Sequence, residues 1–165
     1  MYTSALPRIR VFLVAAICVV NVVVVVFVFV STTGGAGGVT GSVGVTGVTE
    51  HALGMKSVTE AIAIRAEVMR RFEDLCRFED NTRLSVVLVG GGPTGVEMSG
   101  ALAELVRGPL RSDNFNASKH IDIYLVEAGP RLLPMFDEDL SERTKNDLET
   151  LGVKVLVNTQ VKEVK

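Results

Sequence analysis

Residues 84–97, which read LSVVLVGGGPTGVE, decide the predicted fold. The apolar run at 86–89 is typical of a strand that is buried on both faces of a parallel sheet. A GxGxxG pattern follows directly: Gly90 permits a tight turn, Gly92 lets the backbone approach a pyrophosphate, and Gly95 lets the next helix pack closely. The stretch therefore predicts a strand, a phosphate-binding turn and a helix in succession.

The helix after this turn has a well-marked predicted start. Pro93 occupies its first position, where a missing N–H costs nothing, and Gly91 and Thr94 complete the turn. Free amides and the positive end of the helix dipole would face the phosphates. Apolar residues continue at helical spacing, and Gly108 followed by Pro109 predicts the end of the helix.

A second strand is predicted at 121–126 (IDIYLV), and an acid, Glu127, follows it. An acid at this position would accept hydrogen bonds from the adenosine ribose hydroxyls and would repel a 2′-phosphate. Glu127 follows Gly95 by more than the usual interval of about twenty residues, and a polar loop predicted at 111–119 explains the difference. The agreement of turn, strand and acid favours dinucleotide binding over a purely structural strand-to-helix turn.

The remaining elements complete an alternating pattern. A helix over 137–151 has acids in its first turn and ends at Gly152, a third strand follows at 153–157, and 161–164 begins a fourth. The fold class predicted for residues 84–165 is therefore α/β, a Rossmann-type three-layer parallel sheet of the order β-α-β-α-β that is incomplete within this chain.

The first fifty residues lack that pattern. Residues 11–30 are apolar except for Asn21, and the run is long enough to span a bilayer. One interpretation of residues 1–30 is a membrane anchor; a second is a strand over 22–30, where valine and phenylalanine dominate; a third is that the segment is not native coding sequence. Residues 31–50 are rich in glycine, threonine and valine, which predicts a flexible linker.

An amphipathic helix is predicted within residues 51–83. Ser57 and Glu60 have the spacing of a capping box that opens a helix. Cys76, near the predicted end, is expected to be a buried small apolar residue. The apolar stripe at helical period comprises Val58, Ala61, Ile62, Val68, Met69, Phe72 and Leu75.

Composition excludes several classes of function. The chain of 165 residues has a formal net charge of -2, which gives no electrostatic basis for binding nucleic acid. Cys18 and Cys76 are far apart, and only His51 and His120 supply imidazoles. No metal site is predicted.

Four stretches resemble the NADH-binding domain of type II NADH dehydrogenases, in the wider family of pyridine-nucleotide flavoprotein oxidoreductases. They are GVTEHALGMKSVTEAIAIR (47–65), VVLVGGGPTGVEMSGALAEL (86–105), YLVEAGPRLLP (124–134) and DLSERTKNDLETLGVKV (139–155). The resemblance implies a monotopic membrane enzyme that carries FAD, passes a hydride from NADH to the flavin and then passes two electrons to a quinone. It implies a nucleotide domain in the cytoplasm or an equivalent NADH-containing compartment, and it is compatible with a homodimer.

The resemblance also implies roles for individual positions. The three glycines of the pattern match the pyrophosphate site, and Glu127, with Ala128 beside it, matches the acid that holds the adenosine ribose and favours NADH over NADPH. Arg131 argues the other way, because an arginine can accept a 2′-phosphate. Glu97 matches a glutamate near the junction of nicotinamide and flavin; the alternative is an acid stabilised by the dipole in the first helical turn.

The sequence also departs from this family. Its enzymes have a separate FAD-binding domain with its own glycine motif, and that motif is not found in this sequence. The chain is therefore expected to be a fragment that holds the NADH-binding portion. Two alternatives stay open: a non-catalytic, membrane-tethered dinucleotide-binding fragment, and a different NAD(P)H-dependent flavoprotein reductase.

Overall fold

Strands and helices alternate along the part of the chain that the computed structural model describes, which comprises residues 8–11, 22–28, 45–55, 57–77 and 82–164. The strands are β1 (Arg8–Val11), β2 (Val22–Val28), β3 (Ala52–Leu53), β4 (Arg83–Val89), β5 (Ile121–Val126), β6 (Val153–Leu156) and β7 (Gln160–Val164). The helices are α1 (Val48–His51), α2 (Val58–Arg77), α3 (Pro93–Leu105), α4 (Arg111–Asp113), α5 (Phe115–Ser118) and α6 (Glu138–Thr150).

The central sheet has five parallel strands in the order β3-β2-β4-β5-β6. β4 lies in the middle and pairs with β2 along its whole length, from Val22 opposite Arg83 to Val28 opposite Val89. Its other edge pairs with β5. The predicted α/β fold with a Rossmann-type parallel sheet is confirmed.

The two faces of the sheet are covered by different layers. Because side chains alternate along a strand, Val86 and Leu88 of β4 face the main core, together with Leu125 of β5 and the apolar sides of α2, α3 and α6. Val87 and Val126 point to the opposite face, where they pack in a second cluster with residues of α1 and β7. β4 is therefore buried on both faces, as its unbroken apolar run predicts.

The amino-terminal apolar segment contributes a strand to the sheet. Val22–Val28 is extended and paired with β4, which agrees with the strand interpretation and is incompatible with a continuous helix over 11–30. Valine is stiff at its first side-chain torsion and suits a pleated surface better than a helix. Residues 12–21 and 29–44 lie outside the described residues. Among the helices that the structure describes, none is both long enough and apolar enough to span a bilayer.

The end of the predicted linker packs beside β7 in a small second layer of the structure. β7 pairs with β1 in a separate parallel sheet of two strands and not with the central sheet. Thr46 bridges to Glu163, and Val48 is buried against Val161. Residues 45–50, at the end of the predicted linker, therefore form part of the fold, and residues 31–44 lie outside the described part.

The predicted end of the helix at Gly108 is wrong. α3 runs into a π-helical turn, Val106–Leu110, that contains both Gly108 and Pro109, and α4 follows it directly. A wider turn changes the hydrogen-bond ladder, so that the N–H missing from proline is tolerated there. The predicted polar loop at 111–119 instead contains α4 and α5, with Asn114 accepting a 3.0 Å hydrogen bond from the amide of Ala117.

The other two predicted helices are confirmed, with local differences. Ser57 caps α2 by accepting a 3.2 Å hydrogen bond from the amide of Glu60, and Gly152, with φ +87°, follows α6. Cys76 is exposed, which contradicts the predicted buried position, because the inward face of α2 is formed by neighbouring positions. The buried residues of α2 are Ile64, Val68, Phe72 and Leu75, whereas Val58 and Ile62 of the predicted stripe are 78% and 64% exposed.

Candidate functional site

The candidate site lies at the carboxyl ends of β4 and β5, where residues 90–95, the glycine turn, lead into α3. Gly90 has φ +118°, a conformation that strongly favours glycine, and its amide donates to the carbonyl of Val126 at 2.8 Å. The turn is thus joined to the neighbouring strand at its first residue. Ligands of open α/β sheets bind at this edge.

Gly95 has the close-packing role that the sequence predicts. A β-carbon at Gly95 would overlap the backbone carbonyl oxygen of Gly90 and contact Leu125. Backbone atoms cannot rotate away as a side chain can, so only glycine fits. Gly92 differs: its φ of −76° and ψ of −178° are open to any residue. A requirement for glycine at 92 would therefore come from what approaches it and not from its own backbone.

The start of α3 is where the sequence places it. Pro93 is the first helical residue, Gly92 precedes it as the N-cap, and no side chain caps the helix. The first amides of an α-helix have no acceptor within the helix, and the dipole adds partial positive charge there. Thr94 is half-buried beside this opening. The arrangement favours an anionic group in front of the helix.

Gly91, to which the sequence pattern gives no separate role, is bonded on both sides. Its amide donates to Oε2 of Glu127 at 2.6 Å, and its carbonyl accepts from the amide of Leu133 at 2.8 Å. A β-carbon at Gly91 would lie 2.7 Å from Cδ2 of Leu132 and 2.9 Å from Cγ of Glu127. The one sequence signal was the run of three glycines at 90–92, which exceeds what GxGxxG requires.

Glu127 projects from the tip of β5 toward the glycine turn. Its Oε1 accepts a 2.6 Å hydrogen bond from the amide of Gly129, so each carboxylate oxygen holds one backbone amide. The backbone of Glu127 is fixed as well, because its amide donates to Leu156 and its carbonyl accepts from Thr159. A carboxylate has about four acceptor positions, so capacity for ribose hydroxyls remains.

The guanidinium of Arg131 is hydrogen-bonded within its own part of the chain, which disfavours a role in binding a 2′-phosphate. Its guanidinium donates to the carbonyls of Phe136 at 2.9 Å and Pro134 at 3.0 Å, and to the hydroxyl of Ser141 at 3.3 Å. These bonds hold the loop between β5 and α6 in shape. Ala128, next to Glu127, is exposed at the same edge.

Glu97 is exposed and lies on α3 one residue beyond its first turn. The first turn of α3 contains no acid, so the interpretation of Glu97 as an acid stabilised there by the dipole is wrong. The side chain lies on the same helix that opens at the glycine turn. Its position leaves the nicotinamide role as a hypothesis.

A second carboxylate, Asp122, lies near the amino end of β5 and has a different environment. Arg83 donates to its Oδ2 at 2.7 Å, and Lys154 donates to its Oδ1 at 3.0 Å. Burial acts to raise the pKa of Asp122, but the hydrogen bonds and charges of Arg83 and Lys154 outweigh it, so that the pKa is lowered. Within the described ranges, no group of histidine, cysteine and acidic residues could hold a metal ion.

The known proteins that this chain resembles are NADH:quinone and NADH-ubiquinone oxidoreductases. The type II NADH:quinone oxidoreductase Ndh of Mycobacterium tuberculosis is 36% identical over 124 residues, which cover 70% of this chain and 26% of that protein. The mitochondrial external NADH-ubiquinone oxidoreductase 2 of Saccharomyces cerevisiae is 34% identical over 115 residues, 67% of this chain and 21% of that protein. The chain thus spans about a quarter of the length of the curated relatives that it matches.

A solved structure and a family profile agree with these relatives. NDH2 from Plasmodium falciparum in complex with NADH superposes with a TM-score of 0.68 and 30% identity, covering 72% of this chain and 25% of that one. The profile of the family described as pyridine nucleotide-disulphide oxidoreductase matches residues 32–165. This chain therefore belongs to the pyridine nucleotide-disulphide oxidoreductase family, and its relatives within it are type II NADH:quinone oxidoreductases.

Proposed function

We propose that this chain binds NADH at the edge formed by the glycine turn and Glu127. The observation that carries the proposal is their direct contact: the amide of Gly91 and Oε2 of Glu127 are 2.6 Å apart. A pyrophosphate in front of α3 and an adenosine ribose beside β5 would therefore belong to one ligand. A dinucleotide carries both groups in one molecule.

The chain's own residues supply the binding forces. Amides at the start of α3 donate to the pyrophosphate, and the dipole of α3 favours its negative charge. Glu127 accepts from the ribose hydroxyls and disfavours a 2′-phosphate by charge repulsion. Arg131, which could offset that repulsion, is bonded to loop carbonyls instead. These features support NADH over NADPH.

We further propose that the chain supplies the NADH-binding portion of an FAD-dependent type II NADH:quinone oxidoreductase. The names of its relatives support this assignment. In such an enzyme the flavin supplies the acceptor for the hydride and passes electrons to a quinone. Within the described residues we assign the glycine-rich turn at 90–95 to NADH and no residue to flavin binding. For Glu97 we propose the position near the nicotinamide that the family resemblance implies.

The test of NADH binding is a valine at Gly92. The dihedral angles of Gly92 are accessible to valine, and the residue itself is buried. Gly92→Val should place a branched side chain where the pyrophosphate would lie. Titration with NADH, followed by the fluorescence of the nicotinamide, should show binding to the wild type and none to the variant. Circular dichroism should show equal helix content in both proteins.

Gly108→Val provides the matched control, because a β-carbon at Gly108 has no neighbour within 4 Å. It should bind NADH as the wild type does. Equal affinity for all three proteins would contradict the proposed site. The wider oxidoreductase proposal is tested separately by flavin absorption and quinone-dependent oxidation of NADH; NADH binding without either would leave a dinucleotide-binding module.

A further inference from the structure

Glu127 joins two segments of this chain that are distant in sequence. Its two carboxylate oxygens accept from Gly91, in the glycine turn, and from Gly129, in the loop after β5, each at 2.6 Å. We call this pair of bonds the carboxylate bridge. Hydrogen bonds from amides to an ionised carboxylate are among the stronger ones in proteins.

The bridge is one of two connections between these segments. The amide of Leu133, further along the same loop, donates to the carbonyl of Gly91 at 2.8 Å, and Leu133 adopts φ +48°. A left-handed leucine is unfavourable and persists where its surroundings hold it. Gly91 is thus held through both its amide and its carbonyl, with Leu132 packed against its α-carbon.

Fixing Gly91 also fixes the start of α3. Only Gly92 separates Gly91 from the first residue of α3, so the orientation of the Gly91–Gly92 peptide sets where the amides at the start of the helix point. Interactions that are oriented before a ligand arrives lose less entropy when it binds. An acid that served only as a ribose acceptor would not need to contact the glycine turn.

We propose that Glu127 is a positioning residue for the pyrophosphate site, in addition to accepting from the ribose. Through the carboxylate bridge it holds Gly91, and thereby the amides that face the pyrophosphate, in their binding orientation. This inference rests on the proposed function, because it takes NADH as the ligand. Loss of Glu127 therefore weakens binding of the diphosphate even when the ribose offers no hydroxyl.

The first test needs no ligand. Hydrogen exchange, measured by NMR on the full chain, should show protected amides at Gly91 and Gly129. Glu127→Gln keeps one acceptor oxygen and replaces the other with an NH2 donor, so only one bond of the carboxylate bridge can form. At least one of the two amides should therefore exchange about tenfold faster or more, which is the scale of one lost hydrogen bond. The amide of Leu102, inside α3, should not change, and Glu104→Gln, an exposed glutamate of the same helix, should leave all three at wild-type rates.

The second test separates the two roles of Glu127. NADH is compared with an analogue whose adenosine ribose lacks both the 2′ and 3′ hydroxyls. Positioning predicts that Glu127→Ala, which removes both acceptors of the carboxylate bridge, loses about tenfold in affinity for the analogue as well. A loss that is confined to NADH overturns the inference, because the acid would then act through the hydroxyls alone.

Glu127→Asp provides a milder variant if glutamine prevents folding. It keeps the charge but is one methylene shorter, so it should also deprotect Gly91 and Gly129. Unchanged exchange at these amides in a folded variant, or unprotected amides in the wild type, overturns the positioning role. Failure of the proposed function looks different: the wild type would not bind NADH at all, whatever its amide exchange shows.

Discussion

β5 carries an acid near each end, and their partners differ. Asp122 is held by the side chains of Arg83 and Lys154, whereas Glu127 is held by the backbone amides of Gly91 and Gly129. The charged side chains of Arg83 and Lys154 compensate the charge of Asp122, which thereby links β4, β5 and β6. The amides of Gly91 and Gly129 carry no compensating charge, and they connect Glu127 to the glycine turn and to the loop after β5. The same type of group is therefore structural at one end of the strand and suited to binding at the other.

The largest effect is expected at Gly95, where the glycine turn packs too closely for any side chain. Gly95→Ala forces a β-carbon into the carbonyl of Gly90, which should destabilise the fold by about 3 kcal/mol and abolish NADH binding. Gly100→Ala is the matched change in the same helix, because its β-carbon would be 3.8 Å from Leu148. It should stabilise by about 0.5–1 kcal/mol. Urea unfolding of both variants measures the difference, and equal stabilities would contradict the close packing.

Removing the charge of Glu127 should change the preference for NADH over NADPH, whereas removing the charge of Asp122 should not. Glu127→Ser removes the repulsion of a 2′-phosphate, so the preference for NADH over NADPH should narrow by about tenfold. Asp122→Asn removes the same charge at the other end and should leave the preference unchanged. Titration of each variant with both nucleotides measures the ratio. An unaltered ratio in Glu127→Ser would remove the specificity role of this acid.

Asp122→Asn should instead lower stability. Its partners are half-exposed, so the expected loss of unfolding free energy is about 1 kcal/mol, measured by urea unfolding at neutral pH. NADH affinity should stay at the wild-type value because the variant does not touch the glycine turn. A change in affinity without a change in stability would contradict the proposal that Asp122 stabilises the fold and Glu127 serves nucleotide binding.

The smallest expected effect is the pH dependence of the stability that Asp122 contributes. The folded-state pKa of Asp122 lies below its ordinary value of 3.8, so the folded state favours the ionised acid. The stabilisation is therefore complete above this ordinary value and is lost as the pH falls through the lowered folded-state pKa. The stability gap between wild type and Asp122→Asn should be constant near neutral pH and should shrink below about pH 4. A gap that grows on acidification would contradict the pairing.

The sequence predicted what local rules determine. Pro93 at the start of α3, the capping box at Ser57 and the left-handed Gly152 depend on residues within a few positions of each other. The close packing of Gly95 was also predicted, because the strand and the helix that it joins are consecutive. Of these features, Pro93 and Gly95 locate the candidate site.

The features that the sequence did not predict depend on contacts between distant residues. The requirement for Gly91 comes from Glu127 and Leu132, which α3, α4, α5 and β5 separate from it in sequence. The pairing of β7 with β1 joins opposite ends of the chain. The π-helical turn that contains Pro109 continues past a local stop signal, because Leu110 at its end is buried in the core. Tertiary packing decided each case.

The central claim is that amides at the start of α3 bind the pyrophosphate of NADH. An NMR titration of the full wild-type chain with NADH tests it most directly, because each amide reports separately. The largest shifts should occur at Gly92, Thr94 and Gly95, and the amides of Arg83 and Asp122 at the opposite end should not move. Shifts that are absent from the glycine turn, or that are largest around Asp122, would contradict the account.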